Sequence, residues 1–177
     1  NGDYQTVLTL QPPSKPRTAT TWPELRRKNT SQRTSIAMRE PVEEDSLGSM
    51  GCRYVINSAN AAGFSVDYLT PQQSPSKSYD VELVSCHHCT DFPRLKALPR
   101  IAPLRIVGGH PTTNNIRPAI PFGDVFCLGE GETWIAHVLA RLNDGAHARD
   151  LADLPGTIIP TRGMAGEIPA GNTEAEV

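Results

Sequence analysis

Two short apolar runs in the middle of the chain, Leu104-Arg105-Ile106-Val107 and Val125-Phe126-Cys127-Leu128, each stop on glycine, at Gly108-Gly109 and at Gly129-Glu130-Gly131-Glu132. A short, mostly apolar run without regular alternation suits a strand buried on both faces, and a glycine stop marks a place where backbone must turn sharply or approach something closely. Similar runs recur along the chain. Thr6–Leu10 reads as a first strand, ended by Gln11-Pro12-Pro13-Ser14; Phe64–Leu69 reads as a second, closed by Pro71; Asp80–Val84 reads as a third, running into Ser85-Cys86-His87-His88-Cys89.

Helical text lies between these strands. Ser49–Ala62 spaces Met50, Tyr54, Val55 and Ala61 or Ala62 at helical intervals before Gly63. Phe92–Ile101 offers a short helix weakened by Pro93 and Pro99, and residues 131–144 set Trp134, Ile135, Val138, Leu139 and Leu142 on one face. Alternating strands and helices predict a five-stranded, mostly parallel sheet covered on both faces. In such sheets the ligand crevice lies outside the carboxyl ends of the strands. Pro12-Pro13-Ser14, Ser85–Cys89, Gly108-Gly109-His110 and Gly129–Glu132 then gather on one rim.

Ser14 to about Gly48 is polar and basic, with Lys15, Arg17, Arg26, Arg27, Lys28, Arg33 and Arg39, and reads as a long insertion or arm after the first strand with no regular core element. Residues 1–160 form the expected domain and 161–177 a polar tail or linker. At 177 residues the chain suits one domain able to bury an ordinary core, and its 14 glycines and 16 prolines call for much loop. A net charge of -2 does not indicate nucleic acid or an anionic membrane surface. The sequence contains neither a long apolar span nor a signal-like N-terminus, so we expect a soluble, cytoplasmic protein without a membrane partner. Four irregularly spaced cysteines read as reduced thiols, not as a disulfide framework. The first residue is Asn1, so we expect a processed product, a trimmed form or part of something longer.

Several chemistries have no motif here. No Gly-x-Gly-x-x-Gly follows the first strand, and there is no P-loop or Gly-x-Ser-x-Gly elbow. Cys86-His87-His88-Cys89 has two thiols at zinc-like spacing, but only Cys52 and Cys127 remain to complete four ligands, so no metal site is expected. His110 reads equally as a ligand-facing or a solvated loop histidine, and His137 and His147 as surface residues. Glu130 and Glu132 suit a ligand's polar groups and, just as well, the positive end of a helix.

The ordered series "TVLTLQPPS", "GFSVDYL", "DVELVSCHH", "RIVGGHPTT" and "GDVFCLGEGETW", with the later "LADLPGTII", resembles the cobalamin-binding-type domain that precedes the radical core in a large family of radical S-adenosylmethionine enzymes. The resemblance covers about Thr6 to Ile159, and the double glycine and Gly-Glu-Gly-Glu are its most specific pieces. It implies a flavodoxin-like (Rossmann-like) sheet of order 2-1-3-4-5. It also implies a cobalamin set of Pro13, Ser14, Ser85, His87, Gly108, Gly109, His110, Gly129, Glu130, Gly131 and Glu132.

The Asp-x-His-x-x-Gly motif that supplies a lower histidine ligand in related methyltransferases is absent, so cobalamin would bind without one. Pro111 stands where a small residue or histidine is frequent. The Cys-x-x-x-Cys-x-x-Cys motif of the radical core is also absent, so no iron-sulfur cluster and no complete active site are expected in this chain. The catalytic part would then be another domain or subunit. The other function class is a non-enzymatic interaction or structural protein that keeps the sheet as a scaffold, assembling with protein partners through the 14–48 arm.

Overall fold

The computed structural model describes residues 33–42 and 48–160. Six strands, β1 (Ile36–Arg39), β2 (Val66–Leu69), β3 (Val81–Ser85), β4 (Leu104–Gly108), β5 (Val125–Cys127) and β6 (Thr157–Ile158), form one sheet of order β2-β1-β3-β4-β5-β6. The first five are parallel and β6 pairs antiparallel with β5. Helices α1 (Met50–Ala61), α2 (Asp91–Ala97), α3 (His110–Asn114) and α4 (Gly131–Asn143) connect them. The flavodoxin-like order 2-1-3-4-5 is therefore present, extended at one edge by β6.

The central strands are mostly apolar because both faces are covered, with Arg39, Glu82 and Arg105 as buried charged exceptions. One face presents Ile36, Met38, Val81, Leu83, Leu104, Ile106, Val125 and Cys127 to α1 and α4, which pack side by side and contribute Cys52, Ala59, Trp134, Ile135, Val138, Leu139 and Leu142. The other presents Val84, Val107 and Phe126 to Phe92 and Leu95 of α2 and to Ile116 and Ala119. No helix lies between β2 and β3. That corner is closed by Ala37, Leu69, Tyr79 and Ala102, with the Tyr79 hydroxyl donating to Asp67 at 2.9 Å.

Three differences from the sequence reading stand out. The central strand β1, Ile36–Arg39, falls inside the segment read as a polar arm of 14–48, so that segment does contain a core element; the expected Thr6–Leu10 strand, Pro13, Ser14 and the 161–177 tail lie outside the described residues. Arg39 disguised the strand, yet it is 1% exposed. Its charge is neutralised by Glu82, the residue after Val81 on the neighbouring strand, at 3.1 Å, and Arg105 on β4 holds the other side of the same carboxylate at 2.8 Å. The sheet also has six strands where five were expected. The additional strand is Thr157-Ile158, and a two-residue strand has too little pattern to detect. Finally, α2 ends at Ala97, short of Ile101, because Pro99 supplies no amide donor and disfavours helix just before it.

Candidate functional site

The parallel strands deliver their carboxyl ends to one rim: Glu40 after β1, Ser85–Cys89 after β3, Gly108-Gly109 after β4 and Leu128–Glu132 after β5. Two depressions flank it. An open hollow of about 700 Å³ lies between α2 and α3, lined by His87, His88, Phe92, Lys96, His110 and Phe122 among others. On the other face a narrow slot of about 50 Å³ runs between Ser85, Gly108 and Gly131 at the rim and Met38, Val55 and Trp134 below.

The rim loops are fixed by backbone donors. Asp91, nearly buried at the start of α2, accepts from the amides of His87 at 2.7 Å and His88 at 3.0 Å. The Cys86 amide donates to the Gly108 carbonyl at 2.9 Å. Thr112 donates its hydroxyl back to the Gly109 carbonyl at 2.6 Å, and Thr113 accepts from the Gly129 amide at 3.0 Å, so the short helix α3 ties the β4 and β5 loops together. Pro111 serves in the first turn of α3, where its missing N–H costs nothing.

The glycines divide into different physical cases. Gly109 has φ +102, and a Cβ there would lie 2.0 Å from the Cys86 carbonyl oxygen, so the turn requires glycine with or without a ligand. Gly129 has φ +91 but open space where a Cβ would stand. A Cβ on Gly108 would meet Cys127 at an ordinary 3.4 Å, and one on Gly131 would crowd Val55 at 3.2 Å. Gly108 and Gly131 thus keep the slot open.

Behind His87 sits a polar cluster that sequence reasoning did not assemble. Glu40 is fully buried and accepts from the Tyr68 hydroxyl at 2.7 Å and the Ser49 amide at 3.1 Å, and it contacts His87 Nε2. Burial pushes the Glu40 carboxyl up, but hydrogen bonds from His87, Tyr68 and Ser49 outweigh this and hold it at about 2 against an ordinary 4.5. Ser49 caps α1 by accepting from the Cys52 amide at 3.3 Å, and its Oγ lies 3.0 Å from the same His87 Nε2. Because Ser49 and Glu40 meet one ring nitrogen and not opposite ones, Ser49-His87-Glu40 is not a hydrolytic relay. Cys52 completes the cluster, its thiol pushed up by burial and by the Glu40 charge.

The remaining expected residues are dispersed. His110 is exposed with Nε2 3.1 Å from the Asn114 amide nitrogen, Glu130 is exposed at the N-cap of α4, and Glu132 is half-buried in its first turn. Cys86 and Cys127 are buried with thiols pushed up to about 12 by that burial, and Cys89 is exposed, so the Cys86/Cys89 pair does not point into one site. Among the described residues no helix is long and apolar enough to cross a membrane. No protein-family model matches the sequence, and no curated protein or solved structure matches the chain.

Proposed function

We propose that this domain binds a cobalamin-type corrinoid across its carboxyl-terminal rim, for a radical S-adenosylmethionine catalytic part carried on another domain or subunit. The observation that carries the reading is the slot beside Gly108. It opens at the rim between the sheet and the α1/α4 layer, it owes its space to two residues without side chains, and Ser85 is among the residues that line it. A slender polar group such as a nucleotide tail would enter there, once the first turns of α1 and α4 part, while the broad ring system lies over the rim toward the hollow of His88 and His110.

His87 is not disposed as a ligand to a corrin's cobalt, since its Nε2 is directed onto the buried Glu40 carboxylate and Ser49. This agrees with the missing lower-ligand motif, and affinity would rest on buried apolar area and on hydrogen bonds to the corrin amides. The group would supply organometallic chemistry; the residues of this chain would only hold and orient it.

A scaffold role is the second reading, and one observation favours it: Gly109 is fully explained by its contact with the Cys86 carbonyl, without any ligand. If this chain assembles with protein partners through its 14–48 region, residues 36–40 take no part, because they are buried in the sheet layer or at its rim. A titration with hydroxocobalamin followed by its visible spectrum separates the two. Gly108→Val, whose Cβ makes only an ordinary contact, should keep the fold by circular dichroism and weaken binding at least about tenfold, the equivalent of about 1.4 kcal/mol. Absence of binding by the wild-type chain at high micromolar ligand rules out the cobalamin reading in favour of the scaffold.

A further inference from the structure

We propose that Glu40, Cys52 and His87 form a binding site for a divalent metal ion of the zinc class, with one coordination position open toward the rim. This rests on different observations from the cobalamin reading and stands or falls without it. The three residues come from three separate places, the end of β1, the first turn of α1 and the loop after β3. Their ligand atoms nevertheless all lie within 4.8 Å of one another. Tetrahedral zinc holds thiolate sulfur at about 2.3 Å and imidazole nitrogen or carboxylate oxygen at about 2.0–2.2 Å, which puts neighbouring donors about 3.3–3.8 Å apart. Glu40 Oε1 and His87 Nε2, now in direct contact, have to part to that spacing to admit the ion, and no pair of donors starts farther apart than 4.8 Å.

The donor set selects the ion. One thiolate, one imidazole and one carboxylate suit zinc and its neighbours, whereas calcium and magnesium require mostly oxygen. Carboxylate and thiolate together carry two negative charges, which a divalent cation neutralises in a place where Glu40 and Cys52 are both 0% exposed. Three protein ligands with a free fourth position is the pattern of sites whose metal meets exchangeable ligands. His87, with its side chain 22% exposed, is the one of the three ligands that solvent reaches.

The surroundings are those of a held ligand set. Tyr68 and Ser49 both donate to Glu40 Oε2, which fixes the carboxylate while Oε1 faces His87. Asp91 anchors the His87 backbone at 2.7 Å, and such outer hydrogen bonds orient metal ligands. Without metal, burial first and the adjacent Glu40 carboxylate second keep the Cys52 thiol protonated. A bound cation reverses that local preference and ionises the thiol. Binding therefore displaces the Cys52 Sγ proton and requires a His87 ring nitrogen without a proton, so affinity falls as the solution becomes more acidic.

The test uses the full chain, freed of metal by a chelator and titrated with Co²⁺ as a spectroscopic probe and with Zn²⁺ against a chromophoric competitor. We expect one equivalent of Co²⁺ to give a near-ultraviolet thiolate-to-cobalt charge-transfer band, and Zn²⁺ to displace it. Cys52→Ala should abolish that band, and His87→Gln should weaken Zn²⁺ at least about tenfold. A His88→Ala/His110→Ala double variant, altered only in the hollow, should bind as the wild type does. The wild-type cobalt spectrum needs no variant to fold: a spectrum without a thiolate band, or no binding in the micromolar range, overturns the proposal. So does loss of binding in the His88/His110 variant together with retention in Cys52→Ala.

Discussion

Replacing Glu82 by glutamine keeps the shape of the side chain and removes only its charge. In the native sheet this carboxylate is 0% exposed, and it accepts from Arg39 Nη1 at 3.1 Å, from Arg105 Nε at 2.8 Å and from Arg105 Nη2 at 3.2 Å. Arg105 is 4% exposed, and Arg39 has a buried Nε with no partner. The backbone carbonyls of Pro71, Leu98 and Pro99 share the guanidiniums but bring no negative charge. Glu82→Gln therefore leaves two buried cations without a counter-charge. Breaking a buried ion pair in this way costs about 3–5 kcal/mol, against a domain stability of about 5–15 kcal/mol. With a urea dependence of about 2 kcal/mol per molar, the unfolding midpoint should fall by roughly 2 M.

Urea unfolding followed by circular dichroism reads this directly. The triple variant Arg39→Met/Glu82→Leu/Arg105→Met, which removes all three charges and keeps apolar volume, should recover at least half of the loss, because the desolvation penalty disappears with the charges. A loss below about 1 kcal/mol in Glu82→Gln would refute the argument, since it would mean that water or other charges already compensate the arginines. A triple variant as unstable as the single one would refute it as well.

Two glycines on the rim should behave differently: Gly109→Ala, facing a carbonyl oxygen at 2.0 Å, should fail to give a folded domain, whereas Gly129→Ala has free space and should cost only the strain of its positive φ, about 1–2 kcal/mol; thermal melts that coincide would count against this. Glu40 has a folded carboxyl at about 2 against 4.5, so its stabilisation is complete above pH 4.5 and is lost as the pH falls toward 2. The stability gap between wild type and Glu40→Gln, measured in metal-free protein, should close across that window, and a constant gap would contradict the assignment. A thiol reagent should modify native protein rapidly at one site, Cys89, and Cys89→Ser should remove that fast phase; Cys52, Cys86 and Cys127 are buried with raised thiols and should react only on unfolding, so a second fast thiol would speak against the packing of the rim.

The sequence alone determined the features whose physics is local. Buried parallel strands must be short and apolar, so β3, β4 and β5 are legible in Val81–Val84, Leu104–Val107 and Val125–Cys127. The face of α4 is likewise legible in Trp134, Ile135, Val138, Leu139 and Leu142, and the glycine and proline stops place the rim. The tertiary structure decided what depends on neighbours distant in the chain. Ile36–Arg39 is a central strand only because Glu82 on the adjacent strand cancels the charge of Arg39, and a window of polar text cannot reveal a counter-charge that arrives through strand pairing. The same pairing sets Arg39 opposite Val84, and so carries Glu40 to the β3 end where His87 lies, while the N-cap at Ser49 turns Cys52 of α1 toward both. Each of these residues reads locally as ordinary loop or helix text. Their chemistry exists only where parallel strands bring separate carboxyl ends together, because the register of a sheet, unlike its periodicity, is a property of pairs.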